Sequence, residues 1–464
     1  MERERKRSMT PSDLSNQALA HKALGQFQQA LLSYDRSLEL EEHPQTRSNR
    51  GVLLQEMGRL SDSLADHDRA LAAEPTYAQG HYNRGNALQA LNRLEEAVFA
   101  YNTCITLLPA FAPAYSNKAD ALRDLGRFDS ALQSYEQALS LAPDLPDARF
   151  NRALVLLLLG QFEEGLSDYE WRWKRGDLQR HHRTFNAPQW RGQEDLAGKT
   201  ILLHAEQGLG DTLQFSRYAQ RVSALGARVV LECPRALAPL LKTLPGVDIL
   251  VSTGDARPHF DFHCPLASLP LAFNTRLDCV PAPVPYLYPQ PDRVHRWGQS
   301  LNDGFRIGVC WQGQPSQIDQ GRSFPLKMLK PLSEIPAVRL ISLHKGAGEA
   351  QLQDLPPGMK VESLGPHLDE DGAFLDTAAV MKHCHLVITS DTAIAHLAGA
   401  LGVPVWVALR FVPDWRWLLH RSDSPWYPTM RLFRQSAPGD WEPVFNEMAV
   451  SLQMRASGVQ IIAP

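Results

Sequence analysis

Asn83-Arg-Gly-Asn-Ala-Leu-Gln-Ala-Leu-Asn92-Arg-Leu94-Glu-Glu-Ala97-Val-Phe-Ala-Tyr101 decides the fold of the N-terminal third, because its pattern recurs along the chain. The Asn92 position is matched by Gly25, Gly58, Gly126 and Gly160, at spacings of 33, 34, 34 and 34 residues. Two residues after each stands Phe27, Leu60, Leu94, Phe128 or Phe162, and nine residues before each stands Asn16, Asn49, Asn83, Asn117 or Asn151. Tyr34, Tyr101, Tyr135 and Tyr169 share one phase, which His67 fills in the remaining unit. Pro75, Pro109 and Pro143 follow at 34-residue intervals, with Pro44 slightly out of phase. A fixed period of this length marks a stack of supersecondary units, none of which buries its apolar face alone.

The order of residue types says what each unit is. A Gly or Asn permits the left-handed turn between two helices. Ala30, Ala97 and Ala131 let those helices approach closely. A proline, lacking an N–H, ends the second helix. Five such units, from Ser12 to Lys174, resemble the tetratricopeptide repeat. The resemblance implies an α-solenoid over residues 1–174 whose first helices line the concave side. There Asn49, Asn83, Asn117 and Asn151 would form an amide row able to bind an extended peptide. The other reading of the same column is that each amide braces its repeat. Arg50, Arg84, Lys118 and Arg152 recur in phase beside it. They form either a basic stripe for an acidic partner or a solvated face.

Beyond Trp173 the helical period fails. Residues 175–199 are polar and read as a connector; the adjacent His181 and His182 have no spaced partners for a metal. Thr200-Ile-Leu-Leu203 then makes a buried strand running into Glu206-Gln-Gly-Leu-Gly210-Asp211, and a helix from Leu213 to Leu225 precedes a second strand, Arg228–Glu232. That is a β–α–β opening with a ligand loop at the strand's end. Asp211 sits where the helix begins, so it is an N-cap, a catalytic carboxylate or both.

After the Pro-rich stretch Pro281–Pro291 a second alternating series begins. Strand Phe305–Trp311 leads into Gln312-Gly313-Gln-Pro-Ser316 and Arg322-Ser-Phe-Pro325, and strand Arg339–Leu343 into His344-Lys345-Gly346-Ala-Gly-Glu349. Strand His385–Thr389 leads into Ser390-Asp391-Thr392-Ala393-Ile-Ala-His396, and Pro404–Leu409 follows. Asp391 and Thr392 open a small-residue helix whose free N–H groups suit a diphosphate. His396 lies one turn on, on the side of Thr392. The whole is α plus α/β: a solenoid, a Rossmann-like half at 200–291 and a second at 292–464.

The module from Thr200 onward resembles the heptosyltransferase-type glycosyltransferases, which pair two Rossmann-like domains (the GT-B arrangement). That resemblance implies inverting, metal-independent transfer from a nucleotide-diphosphate sugar, with no cofactor. It implies Asp211, after Gly210, as base. It makes Asp391, Thr392, Ala393 (in place of a glycine) and His396 the diphosphate loop, with Ser390 ahead of it. Arg322 would meet donor phosphate and Glu349 the ribose, with Trp311, Gly313, Lys345 and Gly346 in the neighbouring donor loops. Two departures fall on the acceptor side. The first half is short for the family, and Thr212-Leu-Gln-Phe-Ser-Arg217 lacks the proline and basic residues usual after the catalytic Asp.

The expected activity is therefore a glycosyltransferase with a protein or peptide acceptor recruited by the repeats. A nucleotide-sugar-binding scaffold and a cell-envelope glycan transferase are the alternatives. Asp369-Glu-Asp371 reads as an exposed acidic turn, not a metal motif. Pro413-Asp-Trp-Arg-Trp417 and Ser424-Pro-Trp-Tyr427 read either as a stacking surface for sugar or base or as a buried lock. A formal charge of −4 argues against a nucleic-acid binder. Six scattered cysteines suit free thiols, and the lack of an apolar leader or spanning run suits a cytoplasmic protein.

Overall fold

The computed structural model describes residues 9–179, 182–301, 303–314 and 321–456. The chain divides into two compact units, with the boundary between Val155 and Leu156.

The first unit is built of antiparallel helix pairs: α1 (Pro11–Ala23) with α2 (Phe27–Leu40), α3 (Pro44–Glu56) with α4 (Leu60–Ala73), α5 (Ala78–Ala90) with α6 (Leu94–Leu107), and α7 (Ala112–Asp124) with α8 (Phe128–Leu141). Helix α9 (Pro146–Leu158) runs across the boundary, and α10 (Phe162–Tyr169) follows it in the second unit. The turn column adopts the backbone its residue types allow: φ is +71° at Gly25, +76° at Gly58, +57° at Asn92, +75° at Gly126 and +81° at Gly160. Within each pair the alanines at 30, 97 and 131 are wholly buried, as are Tyr34, Tyr101 and Tyr135.

The amide column joins repeats to one another. Asn83 Nδ2 donates to Ser48 Oγ at 3.0 Å, across one repeat, and its Oδ1 accepts from Gln79 at 3.1 Å. Asn117 donates to the Tyr82 hydroxyl (3.0 Å) and to Asn86 Oδ1 (2.8 Å), and Asn151 to Asp120 Oδ1 (2.8 Å). The bracing alternative thus describes these three amides, with the brace reaching the preceding repeat. Two members of the basic column are paired with carboxylates: Arg50 with Asp35 (2.7 Å) and Asp66 (2.6 Å), and Arg84 with Asp68 (2.6 Å).

The second unit holds two parallel sheets. The first contains β1 (Thr200–His204), β2 (Arg228–Cys233), β3 (Ile249–Ser252) and β4 (Phe262–Pro265), in the order β3-β2-β1-β4. The second contains β5 (Phe305–Cys310), β6 (Val338–Ser342), β7 (Val361–Glu362), β8 (Leu386–Ser390), β9 (Val405–Leu409) and β10 (Met430–Arg434), in the order β10-β9-β8-β5-β6-β7. Each sheet starts in the middle and reverses beside its first strand, which is the doubly wound pattern. The central strands are mostly apolar, as strands buried on both faces are; β8 and β9 are buried at every position.

Several boundaries differ from expectation. The repeat pattern predicts a solenoid reaching residue 174, but α10 belongs to the second unit. Its Phe162, Leu166 and Tyr169 are buried, and Phe162 meets Trp415 edge-on at 6.2 Å and lies over Trp426 at 6.3 Å. The connector is not a bare linker either: Trp190 N donates to His263 O at 2.8 Å, and Gln189 bridges the edge strand β4. The single helix expected from Leu213 is two short ones, Leu209–Phe215 and Tyr218–Ser223. Asp369 is not simply exposed; it caps the helix Leu375–Met381, accepting from Asp376 N (2.6 Å) and Thr377 N (3.0 Å). The six cysteines are free, and among the described residues no helix is long and apolar enough to cross a membrane.

Candidate functional site

In a doubly wound sheet the crevice opens beyond the strand ends where the strand order reverses. In the first sheet that place is the end of β1, followed by the Glu206–Asp211 loop. In the second it lies between β5 and β8, followed by the Gln312 and Asp391 loops.

Asp211 is the third residue of its helix, not the N-cap. Gly208 is the N-cap, and its N–H donates to Asp211 Oδ2 at 3.1 Å. Gly210 lets this loop lie directly against the other half: a Cβ there would come within 3.0 Å of His396 Cδ2 and 3.3 Å of Ala393 Cα. Thr392 is the N-cap of the helix Ala393–Ala400, with extended backbone and no side-chain cap bond, so the helix's first N–H groups are left to other partners. Asp391 is buried; its Oδ2 accepts no hydrogen bond and faces Arg322 Nη1 at 4.0 Å. His396 is buried as well. Its Nδ1 lies 3.0 Å from the Tyr427 hydroxyl and its ring stacks on Trp417 at 5.3 Å.

The charges at this place perturb one another. Burial raises Asp211 above the ordinary carboxylate value, and the charge of Asp414 adds to it, while Arg416 and Arg322 oppose. Burial likewise raises Asp391, with Asp414 adding. Burial pushes His396 down to about 3, so its imidazole is neutral at physiological pH. A carboxylate with a raised pKa, reachable from solvent through a quarter-exposed side chain, is suited to accept a proton. Beside it, Glu206 is pushed up to about 7 by burial although Arg172 donates to it at 2.8 Å.

The expected site residues thus fall into three groups. Gly210, Asp211, Arg322, Asp391, Thr392, Ala393 and His396 are brought together. Gly313, Lys345, Gly346 and Glu349 lie on the loops after β5 and β6: Gly313 N donates to Ser323 Oγ at 3.3 Å, Gly346 N donates to Glu349 Oε1 at 2.8 Å, and Lys345 Nζ donates to the carbonyl of Leu368. Trp311 and Ser390 are wholly enclosed and offer a ligand no surface. Trp311 braces the β6 loop instead, its Nε1 donating to Gly348 O at 3.3 Å and its ring stacking on His344 at 4.3 Å. Pro315 and Ser316, in the same polar loop, lie outside the described residues.

The tail cluster resolves as a buried lock. Trp415, Trp417, Trp426 and Tyr427 are all buried, which rules them out as an open stacking surface in this arrangement. What the sequence did not disclose is that this lock delivers Arg416, whose Nη2 donates to Asp211 Oδ1. The available signal was the arginine held between two tryptophans, since a buried guanidinium requires a carboxylate partner.

Residues 332–409 match the model of glycosyltransferase family 9 (heptosyltransferase), and residues 14–48, 78–111 and 119–160 match tetratricopeptide-repeat models. The chain joins tetratricopeptide repeats to a heptosyltransferase-family segment. The family 9 segment runs from the helix before β6 through β9 and contains Asp391 to His396; Asp211, Arg322 and Arg416 lie outside it. Protein FlbA of Caulobacter vibrioides is 29% identical over 287 residues, covering 57% of this chain and 48% of that protein. The chain thus spans about half the length of this relative. The crystal structure of TTC0263, a tetratricopeptide-repeat protein of Thermus thermophilus, is 23% identical with a TM-score of 0.33, covering 36% of this chain and 92% of its own. That of MamA is 19% identical with a TM-score of 0.32, covering 36% and 97%.

Proposed function

We propose that the second unit is an inverting, metal-independent glycosyltransferase using a nucleoside-diphosphate sugar, and that the repeats recruit a protein or peptide acceptor. The observation that carries the reading is the approach of the Asp211 loop to the start of the Ala393–Ala400 helix through Gly210. It sets a raised-pKa carboxylate beside a helix N-terminus with Arg322 nearby. A family 9 match over residues 332–409, within the second half, supports it.

In this reading the diphosphate lies against the Thr392–Ala393 amides and Arg322, where helix N–H groups and a guanidinium meet its charge. The acceptor oxygen or nitrogen attacks the anomeric carbon from the opposite face. As that bond forms, the bond from carbon to phosphate oxygen breaks and its electron pair leaves on the diphosphate. The acceptor proton passes to Asp211. His396, neutral and held by Tyr427, offers Nε2 to phosphate or sugar hydroxyls. The peptide-recruiting role is drawn from the repeat class, not from the Asn83, Asn117 and Asn151 amides, which are bonded between repeats.

The test is turnover of a panel of UDP-, GDP- and ADP-sugars by the wild type and by Asp211→Ala. Donor hydrolysis or transfer lost in Asp211→Ala, with donor binding retained, supports the reading. Equal turnover in both removes Asp211 from the mechanism.

A further inference from the structure

Arg416 occupies an unusual place for a buried cation. It belongs to the short 3-10 turn Trp415–Trp417, whose N-cap Asp414 accepts from Arg416 N at 3.0 Å. Its guanidinium is 8% exposed and every nitrogen is engaged. Nε donates to Gln214 Oε1 at 2.7 Å, Nη1 to Asp414 Oδ1 at 2.9 Å, and Nη2 to Asp211 Oδ1. The group lies 4.6 Å from the Trp415 ring centre and 5.3 Å from that of Phe215. Trp415 is itself wedged against Tyr169, Phe215 and Trp426.

Resting on the reading of Asp211 as base, we propose that Arg416 is the positioning residue that orients the Asp211 carboxylate and keeps it ionised for proton transfer. The geometry supplies both parts. With Oδ1 taken by Arg416 and Oδ2 by the Gly208 N–H, the carboxylate is fixed in one rotamer. Its remaining lone pairs are therefore aimed before the acceptor arrives. A planar guanidinium tied to Gln214 and Asp414 is a rigid anchor that a lysine does not reproduce. Arg416 also balances a congested pocket in which Asp211, Asp391 and Asp414 lie together and Arg322 is a second cation. Burial already raises Asp211, and Arg416 is the largest opposing influence.

The experiment compares wild type, Arg416→Gln, Arg416→Lys and Asp211→Asn by pH–rate profiles on the same UDP-, GDP- and ADP-sugars. It is paired with NMR titration of [13Cγ]aspartate-labelled full-length protein, in which Asp211→Asn assigns the Asp211 signal. The expected result for Arg416→Gln is a fall in kcat of about 100-fold with little change in donor KM. The acid limb and the Asp211 titration both move to higher pH, and Arg416→Lys lies between. An unmoved Asp211 titration, or a fall in kcat with an unmoved acid limb, overturns the inference while leaving Asp211 as base. Turnover that survives Asp211→Asn overturns the base reading and this inference with it. The titration gives its answer even where no donor in the panel turns over.

Discussion

Gly210 and His396 meet where the loops after β1 and β8 converge: a Cβ at position 210 would stand 3.0 Å from His396 Cδ2. The close approach needs glycine for its lack of a side chain. Gly210→Ala is expected to push the Asp211 loop from the helix start by a few tenths of an ångström. Displacements of that order at a reacting centre cost about tenfold or more in rate. Turnover should fall by at least about tenfold while the melting temperature changes little. Unchanged turnover would mean that the juxtaposition is not used.

Phe162 tests the assignment of α10 to the second unit. Its ring is buried against Trp415 and Trp426. Phe162→Ala should cost about 3–5 kcal/mol. The loss should appear in the unfolding transition of the α/β unit, followed by tryptophan fluorescence in urea. A loss confined to the solenoid transition would place α10 with the repeats.

His67 stands in a column otherwise filled by tyrosine, and burial pushes its pKa down to about 4. In the unfolded chain an ordinary histidine titrates near 6.5. Between these values the unfolded state binds more protons, so stability contributed by the neutral ring is present above about pH 6.5 and is lost as pH falls towards 4. At pH 5 the cost relative to pH 7 is about 2 kcal/mol. His67→Tyr should flatten this part of the solenoid's pH–stability curve, measured by thermal melts at several pH values. An equally steep curve would remove His67 as its source.

Asn117 donates to both Tyr82 and Asn86 of the preceding repeat. Asn117→Ala should lower solenoid stability by about 1–3 kcal/mol, because it leaves those partners underbonded. Circular dichroism during urea unfolding reads this directly. No loss of stability would favour a ligand-facing role for the column.

The repeats are legible because their constraint is local and printed five times. The left-handed turn at Gly25 or Asn92 depends on a residue's own backbone, and Ala97 and Tyr101 are buried in the core around a single helix pair. The loops at Asp211 and Asp391 are legible for a related reason, since a strand running into glycine or Asp-Thr and then a small-residue helix is a local signature. Trp311 misleads because a tryptophan at a strand's end looks alike whether it lines a cleft or braces the next loop. The fifth repeat is misplaced by its pattern because Phe162 and Tyr169 satisfy the repeat while their partners, Trp415 and Trp426, come far later in the chain. Arg416 escapes notice for the same cause: its function is defined by Asp211, which only the fold brings to it.

The most direct test of nucleotide-sugar binding at this place is a crystal structure of the full chain with UDP, GDP or ADP. The expected density is a diphosphate within hydrogen-bonding distance of the Thr392 and Ala393 amides and of Arg322, with its terminal phosphate turned towards Asp211. A nucleotide bound elsewhere in the second unit, with the Asp211–Asp391 cleft empty, would contradict the account.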